Sequence, residues 1–189
     1  MSFHVRLKEA TWQQHKATEH LLFPQQNWSG MSLVDYGEFL QIQYVFHQRA
    51  EQQIDASLTT QLKEKLRWPN RRKLEWIEHD LVEIEADVPT QFAEDTPKLQ
   101  EEEALGLLYV TEGSMLGGRM IAKALRNNQQ IAPRTSFHFL GGYGSDTSTY
   151  WKSFLETLEC DTHQSDNIIT AAKMGFDLFA KSIYLIRHK

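Results

Sequence analysis

A chain of 189 residues is long enough for one domain with a sizeable core and cramped for two. Its composition, 41% hydrophobic and 24% charged, is ordinary for a globular protein and excludes a largely disordered chain. Twenty basic against twenty-five acidic residues leave a net charge of −5, so nothing draws the chain generally to nucleic acid or an anionic membrane.

The single cysteine, Cys160, cannot close an internal disulfide, so the fold does not depend on an oxidising compartment. The N-terminal MSFHVRLKEA has neither the apolar segment nor the small-residue cleavage site of a signal peptide. No apolar run reaches the ~18 residues that a membrane span needs. The expectation is one soluble, cytoplasmic domain over 1–189.

In chain order, the pattern is helical. Residues 5–22 put Leu7, Thr11, His15, Thr18 and Leu22 on one stripe at three- and four-residue spacing. Ser32 is a cap for a second helix running through Phe39, Ile42, Val45 and Phe46 to about Leu58. A third covers 71–86, with Leu74, Ile77, Leu81 and Ile84 inward. Thr96 followed by Pro97 is a helix start, since proline lacks the N–H that would be orphaned there anyway. That helix runs to about 127, and two more cover 146–159 and 163–187. Residues 128–145 form the one long loop, a common place for function in a compact domain. Strand-like alternation is nearly absent, so the fold class is all-α.

Glycine is concentrated between 106 and 144. Gly113, Gly117 and Gly118 interrupt an otherwise helical segment, and each costs roughly 1 kcal/mol against alanine there. Two explanations stand open. Small residues let two helices cross closely, or a bare backbone lies against a flat ligand.

Eight histidines raise the question of metal chemistry. None has a glutamate three residues before it, as a carboxylate-bridged di-iron bundle requires, and no His-x-x-x-His pair occurs. His15 stands out by its neighbours. Glu19 follows it by four residues on the same helix face, and a carboxylate commonly orients a metal-bound imidazole through its second nitrogen. Lys8 precedes it by two turns, roughly 10 Å along that face. The spacing suits a heme lying flat on the helix, with iron over His15 and a propionate near Lys8. Taken alone, it suits better still a partly buried histidine with an intrahelical ion pair and a solvated lysine.

The segment LKEATWQQHKATEH (7–20) resembles the proximal helix of heme oxygenases, where Leu-Lys-Glu-Ala-Thr is followed after three residues by the iron-ligating histidine. LYVTEGSMLGGRMI (108–121) is similar to that family's distal helix, and SFHFLGGYGSDTSTYWKSFLETL (136–158) resembles its bacterial branch, especially members associated with bacterial phytochromes. The resemblance implies an all-α fold holding heme between a proximal and a kinked distal helix. It makes His15 the iron ligand and Glu19 its partner. Lys8 and Lys152 become propionate contacts, Thr11 and Phe179 line the heme, and Gly113, Gly117 and Gly118 form the distal wall. It also implies an enzyme that opens heme to biliverdin, iron and carbon monoxide with O2. Electrons would come from an external donor such as ferredoxin, flavodoxin or a flavin reductase, because the chain has no flavin or nicotinamide fingerprint. A bacterial phytochrome is the implied recipient of the biliverdin.

One position departs from the pattern. Animal-type members carry aspartate after the first distal glycine, where it anchors a water network. Here it is Ser114, a hydroxyl without charge. That substitution keeps a second reading open, a heme carrier or sensor with little turnover.

Overall fold

The computed structural model describes residues 2–24, 27–90, 98–160 and 165–188, and among them there is no strand. Helix α1 (Phe3–Leu22) is capped by Ser2, whose hydroxyl accepts from the Val5 N–H. Helix α2 (Leu33–Ser57) opens with the capping box that Ser32 leads, closed reciprocally by Asp35. Then follow α3 (Thr60–Leu66), α4 (Leu74–Glu83), α5 (Glu101–Leu125), α6 (His138–Gly141), α7 (Thr147–Cys160) and α8 (Ser165–Arg187). No helix among the described residues is long and apolar enough to cross a membrane.

Several boundaries differ from the sequence expectation, each for a local reason. The third expected helix begins at Leu74 rather than 71, because Trp68–Arg71 forms a separate 3-10 turn and Arg72 is extended. It ends at Glu83 because Glu85 takes a left-handed conformation, and Ala86 N–H then bonds back to the Leu81 carbonyl. The Thr96–Pro97 start lies outside the described residues. Within them, α5 begins at Glu101, where the Glu103 carboxylate accepts from the Gln100 N–H at 2.8 Å. The loop at 128–145 is partly structured by α6 and a 3-10 turn at Gly144–Asp146. Helix α3 was not expected.

Helix α5 is the axis of the molecule, packed against α2, α6, α7 and α8. One apolar cluster joins α1, α2, α5, α7 and α8 through residues such as Leu7, Ile54, Leu108, Phe154 and Ile168. A second joins α2, α4, α5 and α6 through Tyr36, Leu40, Ile77, Leu125 and Phe139. Burying each such side chain contributes roughly 1.5–3 kcal/mol. The crossing of α5 with α8 is close: a Cβ on Gly106 would lie 2.4 Å from the Ile168 carbonyl oxygen, and one on Gly175 2.9 Å from Val110. These two glycines serve helix packing.

Candidate functional site

Between α1 and α5 lies a cavity of about 610 Å³, bounded also by α8 and by Phe139 and Leu140 of α6. Its size suits one drug-sized or larger ligand, for which roughly 300–1,000 Å³ is usual. The walls are largely apolar, with Trp12, Phe46, Met115, Phe139, Phe176 and Phe179 among them. Of the expected residues, Lys8, Thr11, His15, Glu19, Gly113, Ser114, Gly117, Gly118 and Phe179 all line it.

The glycines divide between the two explanations. A Cβ added to Gly113 or Gly117 would meet no heavy atom within 4 Å, so their bare backbone faces open space. At Gly118 it would stand 3.2 Å from the Leu140 carbonyl oxygen, so this glycine also admits the α6 backbone. Helix α5 remains α-helical through all three.

His15 projects from α1 into the same space. Its ring stacks on Trp12 (centroids 5.8 Å apart, planes 4° from parallel) and meets Phe176 edge-on at 5.9 Å. Burial holds its pKa below the ordinary histidine value; Glu19 opposes this, while Lys16 and Lys8 reinforce it. At neutral pH the imidazole is therefore uncharged, with a nitrogen lone pair available to a metal. Lys8 has no carboxylate partner among the described residues, which leaves a cation free at the cavity wall. Thr11 donates to the Leu7 carbonyl of its own helix at 2.8 Å and also faces the Tyr109 hydroxyl of α5.

Two of the expected residues have other neighbours in the structure. Glu19 pairs with Lys16 at 2.9 Å and reaches His15 only through its charge. The i,i+3 lysine is simply the nearer partner along the helix. Lys152 is exposed and does not line the cavity; Trp151, one residue earlier, does, since one step along a helix turns about 100°.

The sequence reading missed His4, Tyr109 and Trp151, which also line the cavity. Two of them lay within reach of spacing alone. His4 precedes Lys8 by four residues and Tyr109 precedes Gly113 by four, so each shares a face with a residue already singled out. A buried ionic cluster was missed as well. Glu112, directly before Gly113, is salt-bridged to both Arg71 and Lys73 and accepts from the Tyr143 hydroxyl at 2.7 Å. Arg71 donates further to Ser153 Oγ (2.9 Å), and Glu51 of α2 accepts from the Leu74 N–H (3.1 Å). The cluster ties α2, α4, α5 and α7 together immediately behind the Gly113 wall.

The fold and site thus define a helical domain with an apolar cavity walled by an imidazole-bearing helix on one side and bare glycine backbone on the other. The family model for heme oxygenase matches residues 1–184, and the chain belongs to that family. A heme oxygenase of Xanthomonas campestris pv. campestris (strain 8004) is 33% identical over 92 residues, covering 49% of this chain and 53% of that protein. The chain thus matches about half the length of that curated relative. The heme oxygenase of Neisseria meningitidis, solved bound to NO and CO, superposes with a TM-score of 0.79 at 21% identity, over 98% of this chain and 92% of that one. Heme oxygenase-1 of the cyanobacterium Synechocystis sp. PCC6803, solved in complex with heme, gives a TM-score of 0.65 at 12% identity over 100% and 93%. At such identities the two structures speak for the fold.

Proposed function

We propose that this chain binds heme between α1 and α5 and cleaves it oxidatively to biliverdin, iron and carbon monoxide. The observation that carries the reading is the pairing of an uncharged imidazole on α1 with glycine backbone on α5 across a cavity that no side chain of Gly113 or Gly117 fills. Heme is the substrate, and its own iron supplies the oxygen chemistry.

The residues then divide the work. His15 ligates the iron through its free nitrogen, and Trp12 and Phe176 hold the ring's plane. Lys8 neutralises a propionate carboxylate, a charge-assisted contact. Gly113 and Gly117 let the α5 backbone approach the macrocycle, and the apolar walls exclude bulk water from it. Ser114 is the polar side chain beside Gly113. Its hydroxyl donates to the Thr111 carbonyl at 2.8 Å, leaving its oxygen lone pairs to hold a water. Electrons come from an external donor such as ferredoxin, flavodoxin or a flavin reductase, and a bacterial phytochrome is the candidate recipient of the product.

The commitment of the Ser114 proton to Thr111 favours one alternative, a heme carrier or sensor without appreciable turnover. Incubation with hemin, O2 and a ferredoxin–reductase system separates the two. Formation of a biliverdin spectrum supports the enzyme, whereas a Soret band that persists without biliverdin under reducing, aerobic conditions supports the carrier.

A further inference from the structure

Away from the cavity, α4 and α6 bring together four side chains that take no part in the heme site. His79, Asp80 and Glu83 lie on α4, and His138 is the first residue of α6. One ligand atom from each lies within 4.8 Å of the others. Three of the contacts come near the spacing of a filled coordination sphere, with Glu83 offering a different oxygen to each histidine. His138 Nδ1 is 3.1 Å from Asp80 Oδ1 and 4.0 Å from Glu83 Oε2, and His79 Nδ1 is 3.6 Å from Glu83 Oε1. Four donors at about 2.0–2.2 Å from a tetrahedral cation stand about 3.3–3.6 Å apart, so the wider pairs draw in by side-chain rotation to complete the sphere.

We propose that His79, Asp80, Glu83 and His138 form a binding site for one divalent transition-metal cation, of the class to which zinc, nickel and copper belong. Two imidazoles with two carboxylates are a donor set of intermediate softness, which suits these ions better than calcium or magnesium. The carboxylates keep coordinating capacity although both bond to backbone. Asp80 accepts from the N–H groups of His138 (2.8 Å) and Phe139 (2.9 Å), and Glu83 accepts from Ser136, yet a carboxylate offers about four lone-pair sites. Those bonds also fix the carboxylates in place, as the outer partners of metal ligands do. The two imidazoles pack with centroids 4.1 Å apart, and both are solvent-accessible, which provides the entry path, while Asp80 is fully buried beneath them.

A cation here joins α4 to the start of α6. The next two residues, Phe139 and Leu140, form part of the cavity wall, and the Leu140 backbone packs on Gly118. The site therefore staples one end of that wall from outside.

Titration calorimetry of the full-length chain with Zn2+, free of heme, tests the proposal. One Zn2+ per chain is expected with a dissociation constant in roughly the micromolar range. Affinity should fall by about tenfold or more in both His138→Ala and His79→Ala. His79 is 56% exposed, so its variant reads the site without threatening the fold. Co2+ in place of Zn2+ should give the visible absorption of a tetrahedral centre, lost in the same variants. Binding should persist in His15→Ala, which separates this site from the heme cavity. No saturable binding below about 1 mM, or equal affinity in the parent and His79→Ala, overturns the proposal and leaves the cluster as a cap for α6.

Discussion

Arg71 and Glu112 form an ion pair buried to within 1% of full enclosure, and Glu112 directly precedes Gly113, the residue whose bare backbone faces the cavity. One residue of α5 is thus clamped by charge on its inner side while the next carries the open wall. The clamp fixes where that wall stands.

Removing one partner of such a pair leaves an uncompensated buried charge. Glu112→Ala should therefore destabilise the fold by about 3–5 kcal/mol, with Glu112→Gln retaining part of the hydrogen bonding. Chemical denaturation of the two variants measures this. A loss under about 1 kcal/mol in the alanine variant would mean that the cluster is solvated.

The same pair sets a pH dependence. Burial raises the Glu112 pKa, but Lys73 and Arg71 more than offset it, so the carboxyl titrates below its ordinary value. A folded-state pKa below the unfolded one contributes stability above the unfolded value of about 4.3, lost as pH falls further. Parent stability should decline on acidification below that point, and Glu112→Gln should show a shallower decline. Parallel acid profiles for the two proteins would contradict the assignment.

The two kinds of glycine predict opposite outcomes. Gly117→Leu improves helix propensity by up to ~1 kcal/mol and should leave the fold intact while abolishing hemin binding, because the added side chain enters the cavity. Gly106→Ala gains the same propensity but places its Cβ 2.4 Å from the Ile168 carbonyl oxygen, and should lower the melting temperature. Thermal melts with hemin titrations read both. Normal hemin affinity in Gly117→Leu would make that glycine a packing device.

Lys8→Gln should weaken hemin affinity several-fold, and the loss should shrink at high salt because the lysine is exposed. Lys152→Gln should leave affinity unchanged, since that side chain lies outside the cavity. Equal losses in the two would restore Lys152 as a propionate contact.

Ser114→Ala should slow turnover several-fold at unchanged hemin affinity, because a neutral hydrogen bond is worth about 1 kcal/mol. The readout is kcat against hemin dissociation constant. Parent turnover in this variant would mean that the water is held elsewhere, on backbone carbonyls of α5.

Much of this was legible in the sequence because it repeats along long helices. Lys8, Thr11, His15 and Glu19 share a stripe that needs only α1 to form, and α1, α2, α5, α7 and α8 are long enough to show their period. Helices α3 and α6, at seven and four residues, carry at most two turns and so little periodicity. The end of α4 was hidden because Glu85, not glycine, takes the left-handed position. The ionic cluster and the His79–His138 group depend on pairs 23 to 82 residues apart, which no local spacing encodes. Lys16 took Glu19 from His15 because two partners competed within one turn, and spacing alone does not rank them.

Ligation of the heme iron by His15 is the proposal on which the other roles depend. Its most direct test is the absorption spectrum of hemin titrated into His15→Ala and the parent, with added imidazole as a third arm. A parent Soret spectrum of histidine-ligated ferric heme is expected, with its loss in the variant and its recovery when free imidazole fills the vacated space. A variant whose spectrum matches the parent without imidazole would show that another side chain, such as His4, ligates the iron, and would contradict the account.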